Sequence, residues 1–182
     1  MPTGTQNGNI ENIQLGTCKV MLDGNDMGLT IGGVDVSVTT TTRETTVDQY
    51  GDTVVKEFIQ GRNVSVSARF AETTLENLVA LMPGATLVTD ATDETKKRVD
   101  VDTGIGKDLV KSAKPLTLHP IDLPDEDKSQ DFTIFKASTP GGMEYSFKKD
   151  DERVFNAEFK GYPNAEGKLF SVGDPTATET TP

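Results

Sequence analysis

Residues 39–46, Thr39-Thr40-Thr41-Thr42-Arg43-Glu44-Thr45-Thr46, carry no apolar side chain on either face, yet they continue a stretch that reads as a strand. Just upstream, Val34, Val36 and Val38 alternate with Asp35, Ser37 and Thr39. A period of two marks a strand with one buried face. Threonine is β-branched and keeps the extended form while leaving both faces polar. A strand that is polar on both faces is not held by its own core, so it must project into solvent or pair with another chain. The chain turns at Asp48-Gln49-Tyr50-Gly51-Asp52 and returns over residues 53–59. The expectation is a long projecting β-hairpin. Gly61-Arg62-Asn63 punctuates it, and Val64, Val66, Ala68 and Phe70 then alternate with Ser65, Ser67 and Arg69 in a second half-buried strand.

The other elements are read in the same way. Lys19 starts a strand, Asp23-Gly24-Asn25-Asp26 is a turn, and residues 29–31 are expected to return as a hairpin. Thr73 followed by Glu76 reads as a capping box ahead of Leu75, Leu78, Val79 and Met82. That spacing gives one apolar face and predicts a helix of about three turns, stopped at Pro83-Gly84. Short strands are expected over residues 97–101, 107–110, 116–121, 132–137, 143–147, 153–162 and 168–172. Phe155, Ala157 and Phe159 share a face opposite Asn156, Glu158 and Lys160. Many short strands with one helix indicate a mainly β fold, a β-sandwich or small barrel with one flanking α-helix. The expected organisation is a flexible N-terminal arm (1–16), one β domain (17–173) and a disordered Thr- and Pro-rich tail (174–182).

At 182 residues the chain is long enough for one domain with a real core. Lys plus Arg is 18 and Asp plus Glu is 29, a net charge of −11. That balance argues against a duplex-DNA reader, which needs a basic patch to neutralise phosphates. It is compatible with DNA passing a surface that repels it. Cys18 is the one cysteine, so no intramolecular disulfide forms, which fits a reducing compartment. The first residues lack a basic and then apolar pattern, so no signal peptide is expected. No apolar run approaches the ~18 residues that a membrane helix needs.

Residues that could carry chemistry are few, and each has a plainer reading. Asp23-Gly24-Asn25-Asp26-Met27-Gly28 resembles the start of a calcium loop, but the position of the bidentate carboxylate is Val34. Asp100 and Asp102 lie two apart with no third ligand evident, and read as a solvated acidic face. Gly104-Ile105-Gly106-Lys107-Asp108 lacks the leading glycine and the hydroxyl of a phosphate loop, and reads as a turn. His119, the only histidine, reads as a structural residue at a strand end, and Cys18 as a small buried hydrophobe. No nucleophile elbow, zinc cluster or dinucleotide fingerprint appears, so the expectation is a protein that is not an enzyme and needs no cofactor or metal.

The order of turns across residues 34–85 carries a resemblance. It joins Asp48-Gln49-Tyr50-Gly51-Asp52-Thr53, Gly61-Arg62-Asn63-Val64 and Ala71-Glu72-Thr73-Thr74-Leu75-Glu76-Asn77-Leu78, after the turn at residues 22–28 and Gly32-Gly33-Val34. This pattern, covering roughly the first half of the chain, resembles the major tail tube proteins of long-tailed, siphophage-type bacteriophages. The second half carries no matching motif. The resemblance implies a tail-tube-like β domain in rings of six, stacked into a hollow tube with an electronegative lumen. It also implies a tape-measure protein inside the tube, tail-tip and terminator proteins at its ends, and phage DNA conducted without sequence-specific binding. The implied location is the virion tail, after synthesis in the host bacterial cytoplasm. With Val34, Val36, Val38, Val64 and Val66 expected to face the core, Asp35, Ser37, Thr39, Ser65, Ser67 and Arg69 are expected to face the lumen. The hairpin of residues 43–58, with Arg43, Glu44, Asp48, Gln49, Tyr50, Asp52, Lys56 and Phe58, is expected to make ring-to-ring contacts. The alternative is a β-sandwich binding module, such as a capsid decoration or adhesin-like domain, which predicts a stable monomer or small closed oligomer.

Overall fold

The computed structural model describes residues 16–143, 147, 149 and 152–178. Most of the expected arm (1–15) and the end of the expected tail (179–182) lie outside these residues. Among the described residues the order is β1 (Cys18–Leu22), β2 (Asn25–Asp26), β3 (Thr30–Thr46), β4 (Val54–Phe70), α1 (Leu75–Leu81), β5 (Ala85–Thr89), β6 (Lys97–Val101), β7 (Lys114–Pro120), β8 (Phe132–Ser138), β9 (Phe155–Gly161) and β10 (Phe170–Val172). The fold is mainly β with one helix, as the alternation patterns require.

One antiparallel sheet holds eight strands in the order β2-β1-β7-β8-β9-β4-β3, with β10 paired to β8, and β5 and β6 form a separate pair. In a flat sheet, the six spacings from β2 to β3 would hold those strands roughly 29 Å apart. Yet residues 27–29 join them directly, and four residue steps reach at most about 14 Å. The sheet therefore curls back on itself into a barrel-like layer around the core. Backbone bonds fasten the join, with Met27 N–H donating to Val20 O at 2.9 Å and Ala71 N–H to Leu29 O at 2.8 Å.

The inner face of the curl is the core. Val20 and Leu22 from β1, Leu116 and Leu118 from β7, Ile134 from β8, and Phe155, Ala157 and Phe159 from β9 meet Val64, Val66, Ala68 and Phe70 of β4. Phe70 and Phe159 are fully buried, each contributing about 1.5–3 kcal/mol by leaving water. Helix α1 adds Leu81 and packs on β5 and β6.

Several local expectations change. The turn at Asp23-Gly24 has two residues, both at positive φ (55° and 78°), and its returning strand is β2. Residues 30–31 instead begin β3, and Thr30 pairs with Phe70. The helix cap is Thr74, whose Oγ1 accepts from Asn77 N–H at 3.1 Å. Thr73 Oγ1 instead accepts from the Arg153 guanidinium at 2.8 and 2.9 Å. Helix α1 has only seven residues, and its buried residue is Leu81, outside the expected stripe. No strand forms over residues 107–110, where turns lead to β7, whereas the unexpected β5 pairs with β6. The strand expected over 143–147 falls largely outside the described residues. Gly61-Arg62-Asn63 does not interrupt β4, which is continuous through them.

Candidate assembly surface

The long hairpin is the part of the molecule that its own core does not explain. β3 and β4 pair from Val34↔Ala68 out to Thr46↔Val54, but β9 accompanies β4 only from Ser65 to Phe70. Beyond Asn63 the two strands continue as a free ribbon, with residues 39–63 all exposed. A 3-10 turn over Asp48–Tyr50 and Gly51 at φ 59° close its tip. A lone two-stranded ribbon is marginal in water. Among the described residues β3 also lies at the end of the sheet, so no described strand pairs with its outer edge.

Cross-strand register assigns each side chain to a face. Partners directly opposite share a face, so Val36↔Val66 and Val38↔Val64 lie on the core side. Val64 and Val66 are buried and Val34 half-buried, but Val36 and Val38 remain 42% and 43% exposed. The expectation that these last two fill the core is corrected: they sit on the edge strand, where the curl does not cover them.

Two single-residue bulges then offset β4 against β3. Gln60 is the extra residue between Thr41↔Gly61 and Thr42↔Ile59, and Val55 the extra one between Thr45↔Lys56 and Thr46↔Val54. The first bulge moves Ile59 to the core-side face and Phe58 to the other. Beyond it, the core-side face of the ribbon presents Thr42, Ile59, Glu44 and Glu57, with Arg62 opposite Thr40 nearer the barrel. The opposite face presents Arg43, Phe58, Thr45 and Lys56. Lys56 Nζ lies 4.8 Å from the centroid of the Phe58 ring. Asp48, Gln49, Tyr50 and Asp52 form the exposed tip. The hairpin residues expected to make contacts are thus all accessible, divided between two faces and a tip. Sequence reading missed Ile59 and the two bulges, because a bulge shows only once the partner strand is known.

Asp35, Ser37, Thr39, Ser65, Ser67 and Arg69 do lie together on the face away from the core, Ser65 half-buried and the rest exposed. β9 extends this face, since Ser65, Ser67 and Arg69 pair with Lys160, Glu158 and Asn156. Asp35 and Glu158 balance Arg69 and Lys160, so the face is not acidic. A groove of about 670 Å³ opens beside it, lined by Gly32, Gly33, Asp35, Arg69, Pro140 and Glu158 among others. A second cavity of about 550 Å³ lies between α1 and the barrel, where Leu22, Met27, Val79, Met82 and Phe159 line it.

His119 has the orienting partner that the sequence could not reveal. Its Nδ1 stands 2.6 Å from Asp131 Oδ1, and its Nε2 stands 3.4 Å from Leu123 O. The two side chains are only 3% and 4% exposed, and the pair ties the end of β7 to the loop before β8. Asp100 pairs with Arg98, and Asp102 with Lys107, so these carboxylates are engaged separately. Asp23 pairs with Lys114, and Asp26 accepts from Gly28 N–H. Burial pushes the half-buried Cys18 thiol up, away from the reactive thiolate. Among the described residues no group of three metal-ligating side chains converges, and no helix is long and apolar enough to cross a membrane.

The chain matches no protein-family model and no curated protein.

Proposed function

We propose that this chain is a structural subunit that polymerises with copies of itself into stacked rings, forming the hollow tail tube of a long-tailed bacteriophage. The observation that carries this reading is the free β3–β4 ribbon, which leaves the barrel with both faces bare and continues an open sheet edge. In a ring, neighbouring copies pair such edges and close a continuous inner wall. A heterologous contact of this kind yields rings when its rotation closes. In this reading rings are hexameric, the polar face with Asp35, Ser37, Thr39, Ser65, Ser67 and Arg69 lines the channel, and the hairpin bridges rings. The tape-measure protein and then phage DNA occupy the lumen, and tip and terminator proteins cap the ends. The charge-balanced face gives DNA few cations to bind without making the wall strongly repulsive. The subunit has no catalytic role and belongs to the virion.

Negative-stain electron microscopy of the purified chain at rising concentration tests this. Hollow, unbranched tubes of uniform diameter are the expected result. Monomers that persist even with tail-tip seeds would sink the tube and favour the binding module, with the cavity beneath α1 as its first candidate site.

A further inference from the structure

The free ribbon carries an electrostatic pattern that an isolated hairpin would avoid. Glu44 and Glu57 are direct cross-strand partners, both exposed. Like charges in that position destabilise a strand pair. On the other face Arg43 and Lys56 occupy adjacent rows, flanking Phe58. Among the described residues none of these four charges makes an ion pair within the chain. Arg62 on the acidic face lies beyond the Thr42↔Ile59 row, towards the barrel. Each face therefore sets a large exposed apolar side chain, Phe58 at 50% or Ile59 at 58%, beside two like charges of the sign opposite to the other face's, and Val54, opposite Thr46, adds a second exposed apolar side chain further out on the Ile59 face.

We propose that ribbons of neighbouring copies stack face to face, the basic face of one (Arg43, Lys56, Phe58) on the acidic face of the next (Glu44, Glu57, Ile59). This rests on the reading that copies of the chain assemble with one another. The occupant is a second copy because the two faces are complementary to each other. A symmetric pair using one face twice would set like charges together, so the contact has to be head to tail. Each copy then gives one face and receives on the other, and the contact propagates around a ring or along a filament. At the spacing of stacked sheets, about 10 Å, Phe58 and Ile59 interdigitate while the four charges close around them. The contact supplies the counter-charges that the Glu44–Glu57 pair lacks in the monomer. It also explains the Gln60 bulge, without which Phe58 and Ile59 would exchange faces.

Two charge reversals test this in the full chain. Arg43→Glu with Lys56→Glu makes both faces acidic, and Glu44→Lys with Glu57→Lys makes both basic. Circular dichroism should show each variant folded, because none of the four residues touches the core. By sedimentation velocity, each variant alone should need at least about a hundredfold higher concentration than the wild type to associate, since like charges meet across the contact. An equimolar mixture of the two should associate as the wild type does, in alternating order. The chain with all four substitutions should also associate, with its polarity inverted. Wild-type-like association of either variant alone, or failure of the mixture, overturns the stacking. If the wild type makes tubes and so does each variant alone, the stacking falls and the tube reading stands. If association follows the charge rule but gives only small oligomers, the stacking stands and the tube reading falls. A wild type that stays monomeric at every concentration overturns both.

Discussion

Gly161 packs its bare α-carbon against Val64: a Cβ there would overlap Val64 Cγ1 and stand 2.9 Å from Ile134 Cγ2. Both neighbours are buried, so neither has room to yield. Gly161→Ala is expected to destabilise the fold by about 1–3 kcal/mol through overpacking. Adding Val64→Ala should recover part of that loss. A double-mutant cycle by urea denaturation checks it, and purely additive losses would mean that the two sites do not share the space.

Among the described residues Asp131 is the one side chain that meets His119 Nδ1, and both side chains are buried. Asp131→Ala strands a buried nitrogen and is expected to cost about 1–3 kcal/mol. Asp131→Asn, which can still accept a hydrogen bond, should cost less. Thermal unfolding of the three proteins gives the order. Equal stability of Asp131→Ala and wild type would show that the pair does not hold the loop before β8.

Acid should loosen the β5–β6 pair before the barrel. The Thr92 hydroxyl holds Asp90 below its ordinary value of 3.8, the Thr95 hydroxyl does so for Asp93, and the Lys107 ammonium for Asp102. Folded values below the unfolded ones mean that the contribution is complete above that ordinary value and is lost as pH falls through the depressed values. Amide exchange protection in β5, β6 and the turns beside them should therefore fall below about pH 4, while β4 and β9 stay protected. Simultaneous loss in both regions would contradict this.

Removing the ribbon should leave the barrel intact. Thr42 and Ile59 are register partners, so residues 43–58 can be replaced by an Asn-Gly turn without shifting the rest of β3 and β4. The shortened chain is expected to fold as a monomer, with a thermal midpoint within a few degrees of the parent's, and to make no tubes. Tubes from this variant, seen by electron microscopy, would remove the ribbon from the assembly contact.

The elements that could be read from sequence were those whose signal is local. Alternation at residues 34–38, 64–70 and 155–160 marked strands because one face of each had to be apolar, and Asp23-Gly24 marked a turn because of its backbone demands. What could not be read depends on partners far along the chain. Val36 and Val38 look like core residues, and only the sheet order shows them on an edge. Thr73 looks the better cap because Glu76 follows three residues on, and only the fold shows Arg153 binding its hydroxyl and Thr74 capping the helix. The bulges at Gln60 and Val55, which distribute the ribbon's charges, are properties of a strand pair and have no signature in either strand alone.

Between Thr39 and Asn63 every residue is exposed and none belongs to the core cluster that holds the barrel together. Substitutions there escape the filter that folding imposes on Val66 or Phe159. They answer only to the surface that meets the ribbon. Across descendants of this sequence, the barrel interior is expected to drift slowly and by conserved volume. The ribbon should change faster, in paired steps, a reversed sign at Glu44 or Glu57 being followed by the opposite reversal at Arg43 or Lys56.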